Sequence, residues 1–395
     1  MKILFITPRF PSPPLKGDQT VPYHRLRILG RRHEITLLSL YEKEDELAGL
    51  DNLKSFCKAI HTVRLPQWRS VVNVALKGPF SSLPLQALYY WSNAFKKRID
   101  ELLAENSFDL IHAYMLRVAP YLSDVAVPKV LELIDSMQLN LERRVAMERI
   151  PKRWLFQEEL RRIVHYERKI GDYFDQMIVV SEKDRVLIPS QKVTVIPLGV
   201  DTDLFKPQCK ESKEPVIVFS GNMGYFPNES AVIWFVEKCF RRIKKEIPDA
   251  KLVIAGNNPS SKIKKLGDNL SIFVTGFVES MVDELNKAQV AIAPMQSGSG
   301  MQNKIIEAMA CALPVITTTL GLGAIKATHK KDVIIADDVS DFIRSCIKLL
   351  NDYDLAKKVG DNARDLVLKN YSWEMHVNKM EEIYESIMEY KRGTV

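Results

Sequence analysis

An apolar run, a pair of glycines, an amphipathic segment and a second apolar run follow one another between Val290 and Thr317. Val290-Ala291-Ile292-Ala293-Pro294-Met295 reads as a buried strand. After Gly298-Ser299-Gly300, the residues Ile305, Ile306, Met309 and Leu313 recur at helical spacing. Leu313-Pro314 stops that helix, because the residue before a proline is driven out of the helical region, and Val315-Ile316-Thr317 starts a new strand. Strand, glycine loop, helix, strand is half of a parallel α/β sheet. The glycines let backbone approach a ligand closely. The helix start offers free N–H groups and partial positive charge, which suits a phosphate. Lys304 and Glu307 stand one turn apart on it. Lys304 is a point charge for a phosphate. An ionised Glu307 only accepts, and so can hold the two hydroxyls of a ribose. A lysine in the first turn works against the helix dipole, so a ligand is the better reason for it. The alternative is a surface turn carrying an ordinary Lys–Glu pair.

The stretch from Lys304 to Thr317 resembles the donor-binding helix of retaining GT-B glycosyltransferases of family four, where a Glu precedes Ala-Met-Ala and then Pro-Val. Glu307 falls on the second Glu of that family's Glu-x7-Glu signature, and Ser299 stands at the first. A branch that makes exopolysaccharides has Gly-x-Gly-x-x-x-Lys there, as Gly298 to Lys304 do. The resemblance runs over nearly the whole chain and is strongest from Val193 to Thr317. It implies an α/β protein of the GT-B type, with two Rossmann-like domains facing across a cleft. Residues 1–200 would bind the acceptor and 201–372 the nucleotide-sugar. Residues 373–395 would be a helix crossing back to the first domain.

The length of 395 residues suits two or three domains. No apolar run reaches the ~18 residues of a membrane span, and the apolar start at Met1 is too short for a signal peptide. The five scattered cysteines form neither a disulfide framework nor a metal-ligand spacing, which points to a reducing cytoplasm. Residues 1–195 hold 30 Lys and Arg against 23 Asp and Glu, whereas the rest hold 26 of each. That excess favours an acidic partner: an anionic membrane surface or a pyrophosphate-linked acceptor. No nucleic-acid motif is present.

Along the chain, Lys2–Thr7 is the first strand, a Pro-rich loop with Gly17 follows, and a helix covers 21–31. Strands over 34–40 and 59–65 bracket a helical 45–57. The aromatic, proline-broken 66–91 has no readable geometry. A helix near 92–105 leads to strands at 109–113 and Lys129–Ile134, with His112 and Asp135 at their carboxyl ends, where ligands gather in open α/β sheets. The basic stretch 139–169 is either a membrane-surface element or a solvated helix laced with Arg–Glu pairs. Strands at 175–181 and 193–198 close the first half. Asp201 and Asp203 have the Asp-x-Asp spacing of a metal site, but the segment resembles the family's Pro-x-Gly-Val-Asp hinge. A polar linker follows. Strands at Val216–Ser220, Lys251–Ala255, 272–274, Val290–Ala293 and 333–336 then repeat the opening pattern.

The resemblance implies transfer of a sugar to an acceptor hydroxyl with retained configuration and no required metal or other cofactor. The partners are a nucleotide-sugar donor and a glycan or lipid-linked acceptor, met at the inner face of a membrane. Gly17, Asn222, Ser299, Gly300, Met301, Lys304 and Glu307 are the expected donor-binding residues, and Asp135 and His112 the catalytic ones. For Asp135 the alternative is a helix N-cap, and for His112 a satisfied core histidine. Many family members carry an Arg and a Lys in the loop after the second domain's first strand, where this chain has Asn222, Met223 and Tyr225. That departure leaves Lys304 to meet the phosphates. With the missing first Glu it also supports a non-catalytic scaffold, and an epimerase or phosphorylase on the same fold is the second enzymatic reading.

Overall fold

The computed structural model describes residues 1–395 except 14–16, 135, 148–149, 209–213, 298–300 and 394–395. The chain divides into two compact units, Met1–Pro197 with His376–Val395, and Leu198–Met375.

The first unit is built on seven parallel strands: β1 (Lys2–Thr7), β2 (Glu34–Tyr41), β3 (Ala59–Arg64), β4 (Leu110–Tyr114), β5 (Lys129–Ile134), β6 (Gln176–Val179) and β7 (Val193–Val195). Their order is β3-β2-β1-β4-β5-β6-β7. Helices cover both faces of such a sheet, so its central strands are apolar throughout, and Ile3, Leu4, Phe5 and Ile6 are wholly buried. The order reverses direction between β1 and β4, which opens a crevice at their carboxyl ends. The helix after β1 spans Gly17–Leu29 and so starts four residues before the expected point. The segment without readable geometry folds into a helix Gln67–Lys77, a tight turn Gly78–Phe80 and a short helix Leu85–Tyr89. The basic stretch is two helices, Met137–Met147 and Lys152–Ile170.

The last helix, Trp373–Gly393, contributes its residues from His376 onward to this unit. Glu381 accepts from His33 Nε2 at 2.8 Å and pairs with Arg32. Lys391 pairs with Asp175 at 3.2 Å. Among the described residues no helix is long and apolar enough to cross a membrane.

The second unit has six parallel strands: β8 (Val216–Ser220), β9 (Lys251–Ala255), β10 (Ile272–Gly276), β11 (Val290–Ala293), β12 (Val315–Thr317) and β13 (Ile334–Ile335). Their order, β10-β9-β8-β11-β12-β13, reverses between β8 and β11. An apolar cluster fills each side of this sheet. One is centred on Phe235, Phe240 and Phe342, the other on Ile305, Ile306 and Met309 of the helix Asn303–Ala310. Asp201 stands at the head of a turn ahead of β8. Its Oδ1 accepts from the N–H groups of Asp203 and Leu204, both at 3.2 Å, and closes the turn that enters this unit.

Candidate functional site

The carboxyl ends of β8 and β9 are pressed together by glycines. Gly221 has φ +147° and Gly256 φ +138°, values that side chains rarely adopt. The Gly221 N–H donates to Ala255 O at 3.0 Å, and that of Gly256 to Gly276 O at 3.0 Å. A Cβ on Gly256 would stand 1.8 Å from Gly221 O, so nothing larger fits. Met223, wholly buried, donates its N–H to Asn257 O at 2.8 Å. The loop after β8 is therefore fixed to its neighbour mainly by backbone, with a longer side-chain bond from Asn258 Nδ2 to Asn222 Oδ1 at 3.4 Å.

Lys304 lies beneath that loop. It is the second residue of the helix Asn303–Ala310, which rises from the loop after β11, on the other side of the switch point. Its Nζ lies 4.6 Å from the centre of the Phe219 ring and 3.7 Å from Met295 Sδ, and it donates to Asn228 Oδ1. Asn228 in turn donates from Nδ2 to the carbonyl of Asn222 at 2.9 Å. A side chain from β11's helix and the main chain from β8's loop are thus joined through one buried amide. A Cβ on Gly221 would lie 3.5 Å from Lys304 Cε, so the ammonium sits against the glycine turn itself.

The electrostatics follow from that placement. Burial pushes the Lys304 pKa down to about 8, and the charge on Glu307 opposes the fall. Burial pushes Glu307 up to about 7, opposed by Lys304. Both side chains are half-buried, and each titrates near neutrality because apolar surroundings penalise its charge. A phosphate placed beside Lys304 would reverse that penalty. Such a pair at a crevice is a mark of a ligand site.

Of the other expected donor residues, Asn222 is exposed, and its Oδ1 is engaged by the Gly224 N–H at 3.0 Å. Its amide nitrogen is the group left to meet a ligand. The Met301 side chain is buried in the apolar cluster with Ile305 and Met309, which leaves its main chain to meet a ligand. Ser299 and Gly300 lie outside the described residues. Gly17 opens the helix Gly17–Leu29, so its N–H is one of the groups a helix start leaves free.

The catalytic pair fares differently. Asp135 lies outside the described residues. His112 lies in the core of the first unit, as the alternative reading of it had it. It is wholly buried, stacks on Phe5 with ring centres 4.5 Å apart, and meets Glu132 Oε2 through Nε2 at 3.2 Å. Its Nδ1 is 2.7 Å from the Tyr384 hydroxyl. Arg25 completes the network at 3.2 Å from Glu132, whose carboxyl burial would raise but Arg25 and His112 hold down at about 2. Both ring nitrogens are taken, and burial lowers the imidazole pKa.

Two carboxylates that hold Ser136 and Met137 had no signal in the sequence. Asp184 Oδ1 accepts the Ser136 N–H at 2.9 Å, and Glu167 accepts from Ser136 Oγ and the Met137 N–H, each at 3.0 Å. Burial pushes Glu167 up to about 7. They fix the chain where it leaves β5. Asn228 was missed as well, since an amide three residues into a helix looks like any polar residue.

Glu307→Ala is expected to weaken donor binding by roughly tenfold to a hundredfold, the worth of a charged hydrogen bond of about 1.5–3 kcal/mol, with kcat little changed. Steady-state kinetics in donor concentration check it. An unchanged KM with a collapsed kcat would remove Glu307 from the ribose site.

Comparison with known proteins bears on this unit first. Residues 214–352 match the model of the family described as Glycosyl transferases group 1. An uncharacterised 44.6 kDa protein in the cps region of Klebsiella pneumoniae is 24% identical over 94% of this chain and 96% of its own. Sucrose-phosphate synthase from Thermosynechococcus elongatus superposes with a TM-score of 0.70 and 17% identity, covering 99% of this chain and 100% of that one. HepE from Anabaena, solved in complex with UDP and glucose, does so with a TM-score of 0.65 and 15% identity over 98% and 100%. These two likenesses show the fold, two Rossmann-like parallel-sheet domains of the GT-B type. The glycine-bound switch point that holds Lys304 falls within the matched residues, so the segment 214–352 that is similar to glycosyl transferases group 1 is the one that builds this site, on a GT-B fold.

Proposed function

We propose that the chain is a retaining glycosyltransferase that moves a sugar from a nucleoside diphosphate sugar to a hydroxyl of a glycan or lipid-linked glycan. The work belongs to cell-surface polysaccharide synthesis on the cytoplasmic face of a membrane. The observation that carries the proposal is the position of Lys304 against the glycine turn after β8. A leaving nucleoside diphosphate needs positive charge fixed before the bond breaks. The loop after β8 offers no cation, and Lys304 supplies one from below. HepE holds UDP, so uridine diphosphate sugars are the first donors to try. The cps-region origin of the Klebsiella relative supports a polysaccharide acceptor.

Asp135, at the carboxyl end of β5, is the residue proposed to act at the anomeric carbon. Ser136 and Met137 beside it are anchored by Asp184 and Glu167, which suits a side chain that must be aimed. Asp135→Asn is expected to lower kcat far more than it raises the donor KM. Near-normal turnover would leave that carboxylate a helix cap.

The direct test is acceptor-dependent release of nucleoside diphosphate from a donor panel, with the anomeric configuration of the product read by NMR. Release without acceptor would favour an epimerase or phosphorylase. No turnover with any donor that binds would favour a scaffold, for which the cation-free loop at Asn222, Met223 and Tyr225 is the motive. Activity is expected to survive EDTA, because Asp201 is engaged in its own turn. Complete loss with EDTA, restored by Mn²⁺ and abolished by Asp203→Ala, would make the Asp-x-Asp a metal site.

A further inference from the structure

The longest stretch without a negative charge has no part in the donor site. Residues 52–99 contain eight Lys and Arg and not one Asp or Glu. That is enough to account for the whole excess of the first half. In its middle lies the helix Gln67–Lys77. Trp68, Val72 and Leu76 recur every four residues along one face, with Val71 beside them, and Phe80 continues the line past Gly78. All five are exposed: Trp68 by 62%, Leu76 by 68% and Phe80 by 92%. The same helix turns Ser70 inward and buries it. Ser70 and Gln67 line a cavity of about 230 Å³ with Arg9, Tyr41, Tyr89 and Tyr90. The cavity sits where β1, β2 and β3 end. One helix therefore walls a polar cavity with one side and shows an apolar stripe on the other.

The stripe is not a loose end. Arg162, on the helix Lys152–Ile170, donates to the carbonyls of Gly78 at 3.0 Å and Ser81 at 2.8 Å. Glu159 accepts the N–H groups of Leu85 at 2.6 Å and Gln86 at 3.0 Å. The turn that carries Phe80 is thus clamped from both sides. One turn before Glu159 on the clamping helix, Trp154 and Leu155 are exposed as well, next to Lys152 and Arg153. Arg69 lies over the Trp68 ring at 5.2 Å, an arrangement that keeps a charge level with an indole at an interface.

An exposed apolar patch this continuous marks a partner. Residues 52–99, which carry the stripe, hold basic residues and no acid, so the charge supplied along with the stripe is positive. A helix with a bulky apolar face and only basic flanking charge fits the headgroup boundary of a bilayer rich in anionic lipid. We propose that the helix Gln67–Lys77, with the turn through Phe80, is a docking surface for an anionic lipid bilayer. Trp68, Val72, Leu76 and Phe80 enter the headgroup region, and Arg69 and Lys77 meet the lipid phosphates. This names the surface for the membrane acceptor proposed above, yet it needs no transferase activity to be true.

The test is flotation of the full chain with vesicles of phosphatidylcholine alone or mixed with phosphatidylglycerol. The protein is expected to float with the mixed vesicles and not with phosphatidylcholine alone. Leu76→Asp with Phe80→Asp should cut the bound fraction about tenfold or more, because binding scales with the apolar area buried. Arg69→Gln and Lys77→Gln should each weaken binding about fivefold, the worth of one basic residue near an anionic surface. The melting temperature should not move in any of these variants, because the altered side chains are exposed, nor should binding of nucleoside diphosphate, which belongs to the other unit. As a second measurement, brominated lipid should quench the wild type more than Trp68→Phe. No flotation of the wild type would overturn the proposal, as would equal flotation of the double Asp variant. A lipid-free dimer that the double variant dissolves, without vesicle binding, would assign the stripe to a second copy of the chain instead. Failure of the transferase assay with flotation intact would sink the enzymatic proposal alone.

Discussion

Lys304→Met lowers kcat on the order of a hundredfold or more and removes most of the affinity for nucleoside diphosphate, while the bare nucleoside binds nearly as before. Methionine keeps nearly the length of the side chain and loses the ammonium, with its charge, its place over the Phe219 ring and its bond to Asn228. The ammonium is held by Asn228 and buried enough to titrate at about 8. A diphosphate beside it restores the charged form, so binding above about pH 8 should draw a proton from the buffer. Calorimetry in two buffers of different protonation enthalpy reads that proton directly, and the variant should show none. Stability separates the charge from the fold. The folded pKa lies below the ordinary 10.5, so the unfolded chain binds the proton more tightly between about 8 and 10.5, and stability rises with pH there. Removing the charge therefore relieves a penalty at neutral pH. The lost bond to Asn228 offsets part of it, so the melting temperature should hold or rise. A variant that loses both ligands equally, and melts early, would make Lys304 a strut for the β8 loop. One that loses neither would move the phosphate site elsewhere.

The strands were legible because parallel strands buried on both faces are apolar throughout. Lys2–Thr7, Lys129–Ile134, Val216–Ser220, Lys251–Ala255, Val290–Ala293 and Val315–Thr317 keep the boundaries read from the sequence. The helix Gln67–Lys77 failed that reading for a physical reason. Its large apolar residues face outward, so the usual inference from apolar spacing to a buried face has nothing to hold. His112 left two readings open, because a polar residue near the end of a strand looks the same whether it faces a ligand or a buried acid. The structure sets it against Glu132 and against Tyr384, 272 positions along the chain. Glu167 and Asp184 act on Ser136 from 31 and 48 residues away, and no local pattern announces them. Lys304 was found because it stands against the local electrostatics of its helix. Its partner Asn228, 76 residues earlier, was not.

Gly256→Ala is expected to destabilise the second unit by about 3 kcal/mol or more, from strained backbone and overpacking together. In a unit of this size that lowers the melting temperature by roughly 10 °C. Two causes act at once. The residue has φ +138°, and its Cβ would meet Gly221 O at 1.8 Å, a main-chain atom that no side-chain rotation can clear. Gly276 separates the two, since it has φ +66° and nothing within 4 Å of an added Cβ. Gly276→Ala should then cost only the strain of a left-handed alanine, about 1 kcal/mol. The excess at Gly256 measures how tightly β8 and β9 are pressed together. The methyl must push Gly221 away, and with it the Asn222 carbonyl that Asn228 holds and the ammonium that holds Asn228. Diphosphate affinity should accordingly fall in Gly256→Ala even well below its melting temperature, and stay normal in Gly276→Ala. Equal melting of the two variants would mean that the strand ends part without cost. Full affinity in a destabilised Gly256→Ala would mean that the Lys304 site does not depend on the glycine turn above it.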